Sequence, residues 1–255
     1  MPPTEVLILA MSKMLSGICT AGLTREPDPV SGLRWVRPVR EFDTLLPGDM
    51  TDASGRLVQC SDVVELHLLS PRPDPPHVED WVTDFIHHRP RILRRLEGEK
   101  RARFFAEHLD HAPEDVLVHY TRSLCLVQPE WVWARFSLDS YSGKYEVRMG
   151  FVLAGDAEHP QATSRRGVSV TDLKWRALGR AWLGDKGGSL ALDHDTLCER
   201  LGADAIYLAV GLSRNWQGEC WPLVVGVHVV PELVAPSPTG GEGWGEGESS
   251  GRQVK

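Results

Sequence analysis

The feature that most constrains this chain is a recurrence of ten short apolar runs, many rich in β-branched residues and each bounded by Gly, Pro, Asp or Ser. They fall at 5–11, 17–23, 34–39, 62–69 and 123–127, and again at 131–138, 145–153, 167–171, 205–213 and 222–230. Runs of this length and composition predict strands, and ten of them in two groups of five leave little room for a helical core.

Helical spacing is found in only three places. In 98–110, Ala102, Phe105, Ala106 and Leu109 form one stripe with Lys100, Arg101 and Arg103 outside it. In 172–183, Leu178, Ala181 and Trp182 do the same, with Thr171 or Asp172 placed to cap the start, and 194–202 is a short third helix. The second group of strands therefore runs strand, strand, strand, helix, strand, strand, which is the chain order of an OB-fold. The expected architecture is mainly β with a few helices, as two five-stranded OB-like barrels in tandem. Residues 1–128 make the first barrel, with the helix at 98–110 inserted, and 129–235 make the second. The Pro-rich stretch 71–76 is a stiff connector, and the glycine-rich stretch 236–255 has no periodic pattern and is expected to be a disordered tail.

No window has the apolar length of a membrane span, and the first segment lacks the start of a secretory signal, so a cytoplasmic protein with no membrane partner is expected. Five widely spaced cysteines with no C-x-x-C argue against a disulfide framework or a zinc knuckle and read as small buried hydrophobes. The net charge of −7 disfavours a protein that coats nucleic acid. It is unevenly spread, however: Arg89 to Arg103 carries a balance of +5 and Arg165 to Arg180 one of +4, on an otherwise acidic body. Such asymmetry suits one focused anionic site, and equally two solvated helix faces.

Nine Trp stand against six Phe and four Tyr, an excess that calls for packing or binding as its reason. The most informative hairpin holds two of them. Strands 131–138 and 145–153 meet across Ser142-Gly143, and pairing Tyr141 with Lys144 sets Leu138 opposite Val147, Phe136 opposite Met149, Ala134 opposite Phe151 and Val132 opposite Leu153. One face is then wholly apolar and the other carries Trp131, Trp133, Arg135, Ser137, Arg148, Gly150 and Val152. Two indoles beside two guanidinium groups have the composition of a stacking platform for bases. The competing reading covers this face with the other barrel or a helix and makes the Trp interdomain packing.

Further candidates lie in loops. Arg214, Asn215, Trp216 and Trp221 belong to the connection between the last two strands, one of the two ligand-binding loops of an OB-fold. Lys13 is the only charge in the other such loop of the first barrel, and Trp35 and Arg37 share a strand face nearby. His108 and His111, with Glu107 and His119 near them, lack the further ligands a metal site needs, and Asp172 at a strand-to-helix junction reads as an N-cap. No Gly-rich phosphate loop, G-x-S-x-G, H-E-x-x-H or Cys-His nucleophile is present. The chain is therefore expected to be a non-enzyme with no catalytic residues, no metal and no cofactor.

In order along the chain, LILAMSKMLSG, C-x-A-G at Cys19 to Gly22, W-V-R-P-V at Trp35 to Val39, Glu79-Asp80-Trp81 after the Pro-rich connector, and V-T-D…W at Val170, Thr171, Asp172 and Trp175 resemble the dual OB-containing domain (DuOB) proteins. The final strands around Trp216 continue the resemblance, which covers about residues 5–231. It implies two OB-like barrels and a role in binding nucleic acid or nucleotides, plausible in prokaryotic defence or nucleic-acid metabolism, with no catalytic residues. The leading expectation is binding of single-stranded nucleic acid through the Trp/Arg surfaces. The alternatives are a sensor of a small nucleotide-derived ligand in the cleft between the barrels, and an adaptor whose Trp face docks on a partner protein.

Overall fold

The computed structural model describes residues 3–14, 16–27, 32–155, 160–184, 187–215 and 217–233. Trp216, Trp244 and the expected tail at 236–255 lie outside them. The first sheet is built from β1 (Thr4–Lys13), β2 (Ile18–Thr24), β3 (Trp35–Val39), β4 (Asp62–Leu66), β5 (Leu68–Pro71), β6 (Asp80–Thr83) and β7 (Arg91–Arg95). A one-turn 3-10 helix, Pro47–Met50, interrupts it. Then come α1 (Gly98–Glu107), α2 (Glu114–Leu117), β8 (Leu124–Val127), β9 (Trp131–Leu138), β10 (Tyr145–Val152), α3 (Pro160–Thr163) and β11 (Val168–Val170). The chain continues with α4 (Leu173–Leu183), β12 (Gly188–Leu192), α5 (His194–Leu201), β13 (Ala205–Leu212) and β14 (Pro222–Val230).

The protein is mainly β, with two OB-like barrels, but each sheet has seven strands where five were expected. In the first, the order is β5-β6-β3-β2-β1-β4-β7, with β3 and β6 parallel. Because β4 and β5 are one run broken only at His67, β4 pairing with β1 and β5 with β6 bring the sheet round on itself. In the second, the order is β12-β9-β10-β11-β14-β13-β8, with β11 and β14 parallel and α4 between β11 and β13. This is the strand-strand-strand-helix-strand-strand order read from the sequence, with β12 and β8 added at its edges.

Three corrections follow. The strand at 123–127, grouped with the first barrel, pairs with β13 in the second sheet. In its place the first sheet holds β6 and β7, two strands that the apolar runs do not mark. The hairpin register is displaced by two residues, with Tyr145 opposite Leu138, Val147 opposite Phe136 and Gly150 opposite Trp133. The turn is wider than two residues because Asp139 Oδ1 accepts from the amides of Tyr141 (2.9 Å) and Ser142 (2.7 Å), so Asp139 and Lys144 close it. A shift of two preserves the faces. Val132, Ala134, Phe136, Leu138, Val147, Met149, Phe151 and Leu153 are all buried, as that face requires.

The hydrophobic side chains form three clusters. Val6, Ile8, Met11, Ile18, Val36, Val64 and Trp81 fill the first barrel. Phe136, Met149, Phe151, Trp175 and Leu197 anchor the second. Between the barrels, Leu7, Leu9, Ala21 and Trp35 meet Leu124, Leu126, Tyr207, Ala209 and Val225, with Phe105 of α1 wedged among them. Strand β1 thus buries both faces, Val6 and Ile8 one way and Leu7 and Leu9 the other, which is why its sequence shows no polar alternation. Gly226 permits the seam to close: a Cβ there would collide with the Leu9 carbonyl. The same carbonyl accepts from His228 Nε2 at 2.9 Å.

Polar groups are pinned along the same seam. Arg101, expected outside the α1 stripe, is buried and donates from Nε to Ser61 Oγ (3.0 Å) and from Nη1 to the Val229 carbonyl (2.7 Å). Asp172 caps α4 by accepting from the Trp175 amide (2.6 Å), and its other oxygen accepts from the Val227 amide (3.0 Å). Among the described residues no helix is long and apolar enough to cross a membrane.

Candidate nucleic-acid interface

The first assembly of site residues is the outward face of β9 and β10. Trp131 is 39% exposed at the start of β9. Two residues on, Trp133 lies half-buried, because its indole occupies the space left by two glycines. A Cβ on Gly150, its cross-strand partner, would overlap Trp133 Nε1, and one on Gly167 would come within 2.8 Å of its Cη2. Gly167 has φ +63, a left-handed conformation suited to glycine. Trp133 is therefore part platform and part packing, intermediate between the two readings of this face. Arg135 places its guanidinium carbon 5.9 Å from the Trp133 ring centroid.

Arg148 stands opposite Arg135 in the register. Burial, together with the charges of Arg166 and Arg135, pushes its guanidinium below the usual arginine range. Among the described residues none of Arg135, Arg148 and Arg166 forms an ion pair with a carboxylate. Three guanidinium groups lie near one another with only the carboxylate of Glu146 acting on Arg148 against them, so the group keeps an excess of positive charge that an anion would relieve. Arg166 was not singled out in the sequence. It belongs to the +4 segment, but only the fold brings it to β10.

The second assembly is the cleft between the barrels, where the structure redistributes the remaining candidates. Trp35 is a correction: it is 3% exposed, packs in the seam and donates from Nε1 to Asp110 Oδ2 at 3.1 Å, so it offers no stacking surface. Arg37 is buried too, with Nε donating to Asp80 Oδ1. The other oxygen of Asp80 accepts from Arg214 Nη2 at 2.7 Å, so one buried carboxylate bridges a guanidinium from each barrel. Lys13 is exposed at the end of β1, its amide donating to the Thr171 carbonyl at 2.8 Å.

Lys13, Arg37 and Arg214 line one cavity of about 590 Å³. Asn215 is not part of it: its Oδ1 accepts from the Gly218 amide at 2.9 Å and shapes its own turn. Trp221 is 39% exposed at the end of the same loop, its amide donating to Ser213 Oγ at 2.9 Å, and Trp216 lies outside the described residues.

Sequence reasoning missed several residues of this cleft. Asp80 and Glu79 were noted only as a motif beside Trp81, yet both are buried. Glu79 accepts from the amides of Ser123 (2.7 Å) and Leu124 (3.0 Å) and from Ser123 Oγ (2.8 Å), tying the start of β8 to the first barrel. His77, from the connector, donates from Nε2 to the Ser213 carbonyl at 3.1 Å. Burial, reinforced by Arg37 and Arg214, pulls its pKa down to about 3, so it is neutral at physiological pH. Two adjacent acids straight after a Pro-rich run were the available signal: such a pair is costly to bury unless each finds donors.

No curated protein and no solved structure matches the chain. The sequence model of the dual OB-containing domain family matches residues 4–227, from the first residue of β1 to the middle of β14. The parallel β3–β6 and β11–β14 pairs and the helix between β11 and β13 are the topology that two such barrels demand. With nearly all of the described fold inside that match, the chain belongs to the dual OB-containing domain family.

Proposed function

We propose that this protein binds single-stranded nucleic acid across the outer face of β9 and β10. The observation that carries the reading is the group of three arginines, Arg135, Arg148 and Arg166, with no ion pair to a carboxylate among the described residues, on the sheet face whose strand β9 also presents the half-buried Trp133 and the exposed ring of Trp131. An unpaired arginine cluster gains from phosphate, and an adjacent indole gains from any base, so the pair suits a strand bound without strict sequence preference.

Fluorescence anisotropy with labelled deoxy- and ribo-oligonucleotides at low and high salt tests the proposal. Trp131→Ala removes a stacking ring whose loss is worth about 1–3 kcal/mol per base, a weakening of roughly 5- to 150-fold. Arg148→Ala should weaken binding and also flatten its salt dependence, by about 0.7 in the log–log slope for each phosphate contact on a single strand. Absence of binding at low salt, or an affinity indifferent to salt, overturns the reading. Self-association or a captured partner in place of oligonucleotide binding would assign the face to protein docking.

A further inference from the structure

The cleft between the barrels has a chemistry of its own. The end of β1 and its connection to β2 contribute Lys13 and Met14, the connection from β5 to β6 contributes Arg72 and Asp74, and the connection from β13 to β14 contributes Ser213 and Arg214. Three separate loops, of the kinds that carry ligands on OB-like barrels, therefore converge on one cavity of about 590 Å³. That volume lies within the range of small-molecule sites and is too confined for a run of nucleotides.

Its inner wall is apolar, formed by Ala10, Ala21, Leu124, Leu223 and Val225 from both barrels. The polar lining is cationic in excess: Lys13, Arg37, Arg40, Arg72 and Arg214 face Asp43, Asp74 and Asp80. Part of this charge is already committed, Arg40 to Asp49 at 2.9 Å and Arg37 and Arg214 to Asp80. Lys13 has no carboxylate partner among the described residues. Arg72 donates from Nη1 to the carbonyls of Arg40 (3.0 Å) and Glu41 (2.9 Å), which fixes its position without neutralising it. Arg37 keeps Nη2 buried with no hydrogen-bond partner. A buried guanidinium N–H without an acceptor is costly, and an anionic oxygen brought in alongside it would offset that cost.

We infer that this cleft is a second binding site, separate from the β9–β10 face, and that its ligand is a nucleoside monophosphate, linear or cyclic. The phosphate lies toward Lys13, Arg37, Arg72 and Arg214, and the base lies on the apolar wall. A bare anion would leave that wall unfilled, and a fatty chain would set hydrocarbon against the exposed carboxylate of Asp43 and against the hydroxyls of Ser12 and Thr171, whose bonds to the Cys19 and Val224 carbonyls are long at 3.4 Å. A base has both the apolar faces and the hydrogen-bonding edges that this lining calls for.

The test is titration calorimetry of the full chain with AMP, GMP, CMP, UMP and their 3′,5′-cyclic forms, alongside inorganic phosphate and adenosine, with melting curves as a second readout. At least one nucleotide should bind at one-to-one stoichiometry and raise the melting temperature, while inorganic phosphate and the uncharged nucleoside bind at least tenfold more weakly. Lys13→Glu, at an exposed position, should weaken nucleotide binding tenfold or more and Lys13→Arg should retain it. Arg214→Ala should weaken it as well. Trp131→Ala should leave nucleotide binding unchanged, since that ring belongs to the other face. The inference is overturned if no nucleotide gives heat or a melting shift, if inorganic phosphate binds as well as the nucleotides, or if Lys13→Glu has no effect.

Discussion

Gly150 and Trp133 face each other across β9 and β10, and neither is intelligible without the other. The parity of the hairpin could be read from the chain because alternation has period two, so a register displaced by two residues still puts the same side chains outward. What the chain did not reveal was that the outward position opposite Trp133 is a glycine whose missing Cβ receives the indole. Of the seven Trp among the described residues, Trp35, Trp81 and Trp175 are buried, Trp131 and Trp221 are 39% exposed, and Trp133 and Trp182 are between. Gly150→Ala would drive a methyl group into the Trp133 ring and against the Ala162 carbonyl. Overpacking of this kind typically costs about 1–3 kcal/mol, and the displaced indole should become more exposed. Urea denaturation should register the loss, and tryptophan emission should shift to longer wavelength in the folded state. Unchanged stability and emission would mean that the ring does not rest on this glycine.

At the level of elements, the runs that read clearly were those whose core-facing residues are apolar, and they include all ten expected strands. The strands that escaped notice are β6, β7 and β12. β7, Arg91–Arg95, carries three arginines in five residues, and β12 follows a glycine pair and is largely exposed. β6 is short and opens on Asp80, whose burial is made tolerable by Arg37 and Arg214, residues 43 and 134 positions away. Long-range pairing of this sort leaves no periodic trace. Glu79 shows the same principle between elements, since its carboxylate holds the start of β8 against the first barrel while β8 itself pairs with β13. Glu79→Ala would leave the buried amides of Ser123 and Leu124 without acceptors, at about 1–3 kcal/mol for each. Hydrogen exchange should show the 123–127 amides losing protection first, with those of β9 and β10 much less affected. Uniform loss across both sheets would show that Glu79 supports the whole fold and not this junction.

The whole molecule stands or falls with the seam, where two barrels share a cluster of their own and where two buried histidines and the buried Asp172 sit at or beside the contact. His77 links the connector to Ser213, His228 meets the Leu9 carbonyl, and Asp172 spans α4 and β14 close to Ser12. Burial, then the cationic field of Arg101, pulls the His228 pKa down to about 3, and His77 is likewise pulled to about 3. Burial pushes Asp172 up to about 6. For each histidine the unfolded chain, with a pKa near 6.5, binds more protons than the folded one between about pH 6.5 and pH 3. Stability from these groups is therefore complete above about pH 6.5 and is lost as the pH falls through that window. Asp172 acts in the opposite sense, because the folded state holds its proton up to about pH 6, and its contribution is lost as the pH rises from about 4 to 6. Among these three groups the two histidines outweigh Asp172 between pH 7 and pH 5, so the seam should lose stability on acidification. His228 is fully buried and at pH 5 accounts for about 2 kcal/mol of that loss, at 1.36 kcal/mol per pH unit below its unfolded pKa. In His228→Gln, whose amide can still donate to the Leu9 carbonyl, urea unfolding at pH 7 and pH 5 should differ less than in the parent protein. The reason is that the substitution removes a group that must stay uncharged in the seam. A parent protein equally stable at both pH values, or a variant with the parent's full acid sensitivity, would place the acid-labile groups away from this seam.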